Sequence, residues 1–328
     1  MSAYRAYAVR AIMRIVSMTA LAFALSAVLP PTLARSAPPA QSATAAQGER
    51  AYRPATPVHI NFASNPENSV EPSVDLRPQI HERGLAVRDQ GNRGTCTVFA
   101  TTFLVEYQKS GMIGAQKGLD LSEEYLNWAG NKEFGKPFQD DGMFTRFMPA
   151  FQSWAITTAK DMPYRASFDP NEQPTKAAIA KADSMFPTRY QFSVLKTWDN
   201  TKGYTKAELQ DVLATLRSGR PVATGMWWLS NFATVTVHGV PLLKEYPRSA
   251  NTNPATEPMF DGHSIDLVGY RESSLFPGGG YFIFRNSFGP SFGEHGYGFV
   301  SFKYLLTYGN DAIAIAPPVV HPVSPPKY

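Results

Sequence analysis

The chain has 328 residues, 43% of them hydrophobic and 18% charged, a globular composition that supports one large domain or two small ones and excludes a disordered chain. Its formal charge is +4, but Arg5, Arg10 and Arg14 supply three of those charges in an N-terminal stretch without an acid, leaving a body at +1 with no clustered basic stripe. That balance excludes nucleic acid as a partner.

The N-terminus reads as an address. The three arginines precede an uncharged apolar run, Ile15 to Val28; Pro30 and Pro31 break any helix, and Ala34, Ser36 and Ala37 offer small residues for cleavage. This pattern predicts a signal peptide over 1–37 and export to the periplasm or the extracellular space. The run is short of the roughly 20 apolar residues a membrane span needs, so no stable span is expected once the signal is cleaved. An uncleaved signal anchor that keeps the chain at the membrane is the competing reading. Residues 38–71, rich in Ala, Pro, Gln, Ser and Asn, are expected to be a linker or short leader. The folded domain is expected over 72–312, followed by a Pro-rich tail over 313–328.

Within the domain, apolar spacing predicts a helix over Phe99–Gln108 and another starting after Ser122 as N-cap. A third is expected over Met143–Ala159. A fourth, over Lys206–Arg217, has Gly219 as its stop signal. Strand-like patterns then take over at Pro221–Trp228, Ser264–Tyr270, Tyr281–Arg285 and Phe299–Phe302. Gly278-Gly279-Gly280 reads as a hairpin turn; a phosphate-binding loop is disfavoured because no helix start with Lys or Ser/Thr follows. Helices before residue 217 and strands after 221 predict an α+β fold of two lobes with a cleft between them.

Cys96 is the one cysteine, so an internal disulfide is impossible. A buried small hydrophobe, an intermolecular link and a reactive thiol are the three readings. Its position favours the last: a Gly-containing loop, Asp89 to Thr95, runs into a helix that starts at the cysteine. Unpaired N–H groups and the positive dipole end favour thiolate over thiol there, which predicts a lowered pKa. A thiolate nucleophile needs a proton carrier. His263 sits at the mouth of a predicted strand, and Asn286 follows the next one. If Ser264–Tyr270 and Tyr281–Arg285 pair as a hairpin, His263 and Asn286 come to the same end of it, where the amide could fix the imidazole's tautomer. The Cys96 N–H is one donor for an oxyanion, and Gln90 a second, although alone Gln90 reads as a solvated loop residue. No His or Cys pair has metal-ligand spacing, so neither a metal nor another cofactor is expected.

Five segments in order carry a resemblance. Gln90-Gly91-x-x-Gly94-x-Cys96 resembles the nucleophile segment of papain-family, cathepsin-type cysteine peptidases. His263 with its following strand resembles that family's histidine segment. Asn286-Ser287-Phe288-Gly289 with Phe292-Gly293-Glu294-x-Gly296-Tyr297 resembles its Asn-Ser-Trp-Gly and Trp-Gly-x-x-Gly-Tyr signature. Leu121-Ser122-Glu123-Glu124 resembles its Leu-Ser-Glu-Gln helix start, and Asp75-Leu76-Arg77 its mature Asp-Trp-Arg. The resemblance spans about residues 72–305 and implies a helical N-terminal lobe and an antiparallel, β-rich C-terminal lobe. It implies Cys96 as nucleophile, His263 as acid/base, Asn286 as orienter and Gln90 as oxyanion donor, acting on a peptide or protein substrate, with a proteinaceous inhibitor as a further partner. Gly142 and Met143 would line the substrate cleft. Phe288 would border it where the family's Trp shields the Asn–His bond, a role compatible with plain packing of Phe288 and Phe292.

The departures are Thr97 after the nucleophile, where an aromatic is usual, and Arg93 where the family has a disulfide-forming Cys. Arg93 reads as solvated rather than as a source of positive potential. Only about 35 residues lie between residue 37 and Asp75, too few for the family's long inhibitory prosegment. The loop-like segment Gly239 to Phe260 is expected to border the cleft. A papain-fold acyl transferase or amidase, and a silent peptide-binding module, are the alternative functions.

Overall fold

The computed structural model describes residues 72–112, 114–115, 117–135, 138–229, 233–245 and 259–317. The expected signal peptide and leader, the last part of the tail and residues 246–258 lie outside them.

Short elements β1 (Val74–Asp75) and α1 (Arg77–Glu82) lead into α2 (Cys96–Ser110), α3 (Glu123–Phe134), α4 (Phe144–Trp154) and α5 (Lys176–Met185). Then come β2 (Phe192–Lys196), α6 (Lys206–Arg217), β3 (Val222–Leu229), β4 (Thr234–Val237), β5 (Val240–Leu243) and β6 (Met259–Glu272). The chain ends its described part with β7 (Gly280–Arg285), β8 (Tyr297–Ser301), α7 (Phe302–Tyr308) and β9 (Gly309–Ile315). The strands form one sheet in the order β2-β9-β3-β6-β7-β8-β5-β4, with β1 added against β6. Its pairs are antiparallel except β5 with β8, which run parallel, so the expected antiparallel lobe is a mixed, mostly antiparallel sheet.

Local signals set several boundaries. Ser122 caps α3 by accepting from the Tyr125 N–H at 2.9 Å, and Thr205 with Glu208 forms a reciprocal capping box on α6. The glycine run is a turn: Pro277–Gly279 joins β6 to β7. The helix expected to reach Ala159 stops at Trp154. Ala155 takes a left-handed conformation, φ 54, and Thr158 then bridges to Leu121. Strand β9 continues past residue 312, and its Ile313 and Ile315 bury their side chains in the helical core. Pairing of β9 with β2 and β3 keeps the chain in the sheet to Ile315.

Two hydrophobic cores divide the domain. One gathers Tyr125, Phe147, Phe151 and Phe186 from the helices; the other gathers Leu213, Leu267, Phe282 and Tyr304 around the sheet. Helix α2 serves both, with Leu104 in the first core and Phe103 in the second. A helix covered on all sides needs no polar face, and residues 97–107 of α2 are all buried. Its N-terminus is thereby fixed at the seam between the two cores. Among the described residues no helix is long and apolar enough to cross a membrane.

Candidate active site

Cys96 is the first residue of α2, half-buried, after the cap residue Thr95. The loop before it is bolted at both ends by arginines. Arg88 pairs with Glu106 of α2 at 2.8 Å and with Glu123 of α3 at 2.7 Å. Arg93 corrects the sequence reading: it is not solvated but buried. Its guanidinium bonds Asp140 through Nε and Nη2, both at 2.7 Å, and Glu124 through Nη1 at 2.5 Å. It also lies over the Tyr164 ring, 4.5 Å from its centroid. Burial alone would lower the Arg93 pKa, but the two carboxylates raise it above the usual arginine range and keep the group charged. The Tyr164 hydroxyl adds a third brace, bonding Thr95 Oγ1 at 2.6 Å and the Gln90 carbonyl at 3.0 Å.

His263 lies inside β6 rather than at its mouth, paired with Met226 of β3. On the other side β7 ends at Arg285, opposite Asp266. Its continuation brings Asn286 back to the ring: His263 Nε2 and Asn286 Oδ1 are 2.8 Å apart. The Ser287 N–H also donates to that Asn286 atom at 2.8 Å. A backbone N–H can only donate, so the shared atom must be the amide oxygen, and the His263 partner must be Nε2–H. The neutral ring therefore carries its lone pair on Nδ1.

Ser287 continues the chain of bonds to the nucleophile loop. Its Oγ donates to Gln90 Oε1 at 2.5 Å, its carbonyl accepts from Gln90 N at 2.8 Å, and Gln90 Nε2 donates to the Arg93 carbonyl at 2.7 Å. Gln90 is thus buried and oriented, not a solvated loop side chain. Rings cover the His263–Asn286 bond: Phe288 stacks on the imidazole at 4.7 Å and Trp228 packs against it at 4.6 Å. Sequence reasoning passed over Trp228 and Ser287 as site residues. Ser287 stood inside a quoted motif, whereas nothing in the strand pattern marked Trp228.

The thiol and the imidazole open on one groove, lined by Cys96, Gly142, Met143, Trp227, His263 and Asp311 among others. Gln90 and Phe288 do not line it. Thr97, the departure after the nucleophile, reaches across the seam instead: its Oγ1 is 2.9 Å from Ser264 Oγ, beside His263. The expected acidification by the helix start does not prevail. Burial pushes the Cys96 thiol up, and hydrogen bonds involving Ser264 and Thr97 pull it back only in part. A second pocket lies over α3 between Trp128 and Phe168, but among the described residues no cysteine or histidine lines it. Among the described residues no group of three or more His, Cys, Asp or Glu is placed to hold a metal ion.

The model of the papain family of cysteine proteases matches residues 70–305. The chain belongs to that family. Vignain from Phaseolus vulgaris is 28% identical over 234 residues, which cover 70% of this chain and 54% of vignain. The chain thus spans about half the length of that curated relative. Xylellain, a cysteine protease from Xylella fastidiosa, superposes with a TM-score of 0.55 at 18% identity, over 76% of this chain and 87% of its own. Digestive procathepsin L 3 of the Tenebrio molitor larval midgut superposes with a TM-score of 0.51 at 21% identity, over 74% and 69%. These likenesses establish the papain-like α+β fold.

Proposed function

We propose that this papain-family chain is an exported cysteine peptidase that hydrolyses peptide bonds, with Cys96 as nucleophile, His263 as acid/base, Asn286 as orienter and Gln90 as oxyanion donor. The observation that carries the proposal is the shared Asn286 oxygen, which fixes the His263 tautomer while His263 and Cys96 line one groove. With Nε2–H committed to Asn286, Nδ1 is the ring nitrogen that takes the Cys96 proton. Because burial raises the thiol, the thiolate is stable only beside the imidazolium that its own proton creates.

The thiolate sulfur attacks the peptide carbonyl carbon. The C–S bond forms as the carbonyl π pair moves onto oxygen, where the Cys96 N–H and the second Gln90 Nε2–H meet it. Collapse of the tetrahedral species breaks the C–N bond, and the leaving amine takes the proton from His263 Nδ1. Water, deprotonated by the same nitrogen, then attacks the thioester, and the thiolate leaves. Phe288 and Trp228 keep water from the His263–Asn286 bond, which strengthens it.

The test is hydrolysis of quenched fluorescent peptides by the full chain. Cleavage is expected in the native protein and none above background in Cys96→Ser. Asn286→Ala is expected to lower kcat by about 10²-fold, as a mis-aimed ring does, with a smaller change in KM. Equal turnover by native protein and Cys96→Ser would remove Cys96 from the mechanism. Export rests on Arg5, Arg10, Arg14 and the apolar run Ile15–Val28. N-terminal sequencing of the protein recovered outside the cytoplasm is expected to begin near residue 38.

A further inference from the structure

The groove has a charge pattern that the catalytic proposal does not use. Besides Cys96 and His263, the ionisable side chains lining it are Asp141 and Asp311, and among the described residues that line it there is no lysine or arginine. The rest of the lining is neutral, with Met143, Trp198, Met226 and Trp227 forming apolar walls. Met143 and Trp198 are large apolar side chains left exposed, at 44% and 42%, an arrangement suited to covering by a bound chain.

Asp311 is built into the wall of that groove. It lies on β9, paired with Gly225 of β3, and its side chain is 6% exposed. Its Oδ1 accepts from the Gly225 N–H at 2.9 Å. A Cβ on residue 225 would lie 2.3 Å from that oxygen, so the absence of a side chain at 225 makes the room the carboxylate occupies. Among the described residues no ion pair holds Asp311. The cation nearest in influence is Lys196 on the neighbouring strand β2, a weaker effect on Asp311 than the Gly225 hydrogen bond, and Lys196 has Glu208 at 3.9 Å. A buried carboxylate without a paired cation is costly for the fold, and such groups concentrate at functional sites.

A long aliphatic stem ending in a positive charge satisfies both halves of this lining. The stem packs against methionine and tryptophan while the head meets the carboxylate. We propose that Asp311 makes the groove selective for substrates that place a lysine or arginine side chain in it, close to the scissile bond. This inference rests on the peptidase reading above. Burial pushes the Asp311 carboxyl up to about 6, so the site is charged at neutral pH and loses its charge in mild acid. A bound cation favours the charged form and widens that range downwards.

The experiment is a substrate scan with the full chain. Fluorogenic tetrapeptides carry Arg, Lys, norleucine or Glu in turn at each of the three positions before the cleaved bond. At one position Arg and Lys are expected to exceed norleucine by about tenfold or more in kcat/KM, with Glu the poorest. In Asp311→Asn, which keeps an acceptor for the Gly225 N–H, the Arg-to-norleucine ratio at that position is expected to fall to near one. In the native protein the same ratio is expected to fall as pH drops below about 6. Using a ratio cancels the titration of Cys96 and His263, which both substrates share. Asp141, Lys196 and Tyr204 are the other titratable groups around Asp311, and Asp311→Asn separates their effect by removing the pH response if Asp311 is its source. Hydrolysis without a basic preference at any position, or a preference that Asp311→Asn retains, overturns this inference and leaves the peptidase reading standing. Absence of hydrolysis of every peptide overturns both.

Discussion

Replacing His263 by alanine is expected to lower kcat/KM for peptide hydrolysis by about 10³-fold or more. Two losses combine. Cys96 is desolvated and its thiol is pushed up, so without an imidazolium partner the thiolate fraction at neutral pH collapses. The leaving amine also loses the acid that protonates it. The two can be separated with iodoacetamide, which needs the thiolate but no leaving-group proton. Its rate with His263→Ala is expected to be low at neutral pH and to climb through the alkaline range above that of an ordinary cysteine, because the folded thiol titrates high. In the native protein the rate should already be substantial at neutral pH, because the imidazolium that takes the Cys96 proton stabilises the thiolate. Similar pH profiles for the two proteins would deny His263 any hold on the thiol.

Arg93→Met is expected to be the most damaging substitution for the fold among the residues of the nucleophile loop. It leaves Glu124 and the largely buried Asp140 without the guanidinium that bonds both. Breaking a buried pair from one side costs about 3–5 kcal/mol, because the remaining charge is stranded. For a domain of this size that is a fall in Tm of roughly 6–20 °C, readable by calorimetry. The Arg93 carbonyl also receives the Gln90 Nε2–H, so the substitution should lower kcat more than KM in whatever protein stays folded. Arg93→Lys restores a charge but not the fork that reaches two carboxylates and is expected to recover only part of the stability. A fall in Tm below about 1 °C in Arg93→Met would show that the cluster contributes little.

Much of the site could be read in the sequence because its residues stand at ends of elements with strong local signals. Helix α6 runs over Lys206–Arg217, where its amphipathic spacing and Gly219 place it. The hairpin from β6 to β7 follows from alternation and a glycine run, and it delivers Asn286 to His263 across 23 residues. What stayed hidden depends on pairing between distant segments. Arg93 looks solvated among Asp89, Asn92 and small residues; its acids come from 31 and 47 residues further on. Asp311 sits in a short apolar run that gives no hint of the groove, because its neighbour Gly225 is 86 residues away. Trp228 reads as one more strand residue until β3 lays it against His263. The acidity of Cys96 went the other way. The helix start was visible, but the burial that outweighs it arises from packing between α2 and β6.

The most direct test of the account is labelling of the purified full chain with a peptidyl epoxide directed at papain-type thiols, read by intact mass beside Cys96→Ser and His263→Ala. The account predicts a single adduct in the native protein, none in Cys96→Ser and far slower addition in His263→Ala. No adduct in folded native protein, or an adduct that persists in Cys96→Ser, would contradict an activated Cys96 in a peptide-binding groove.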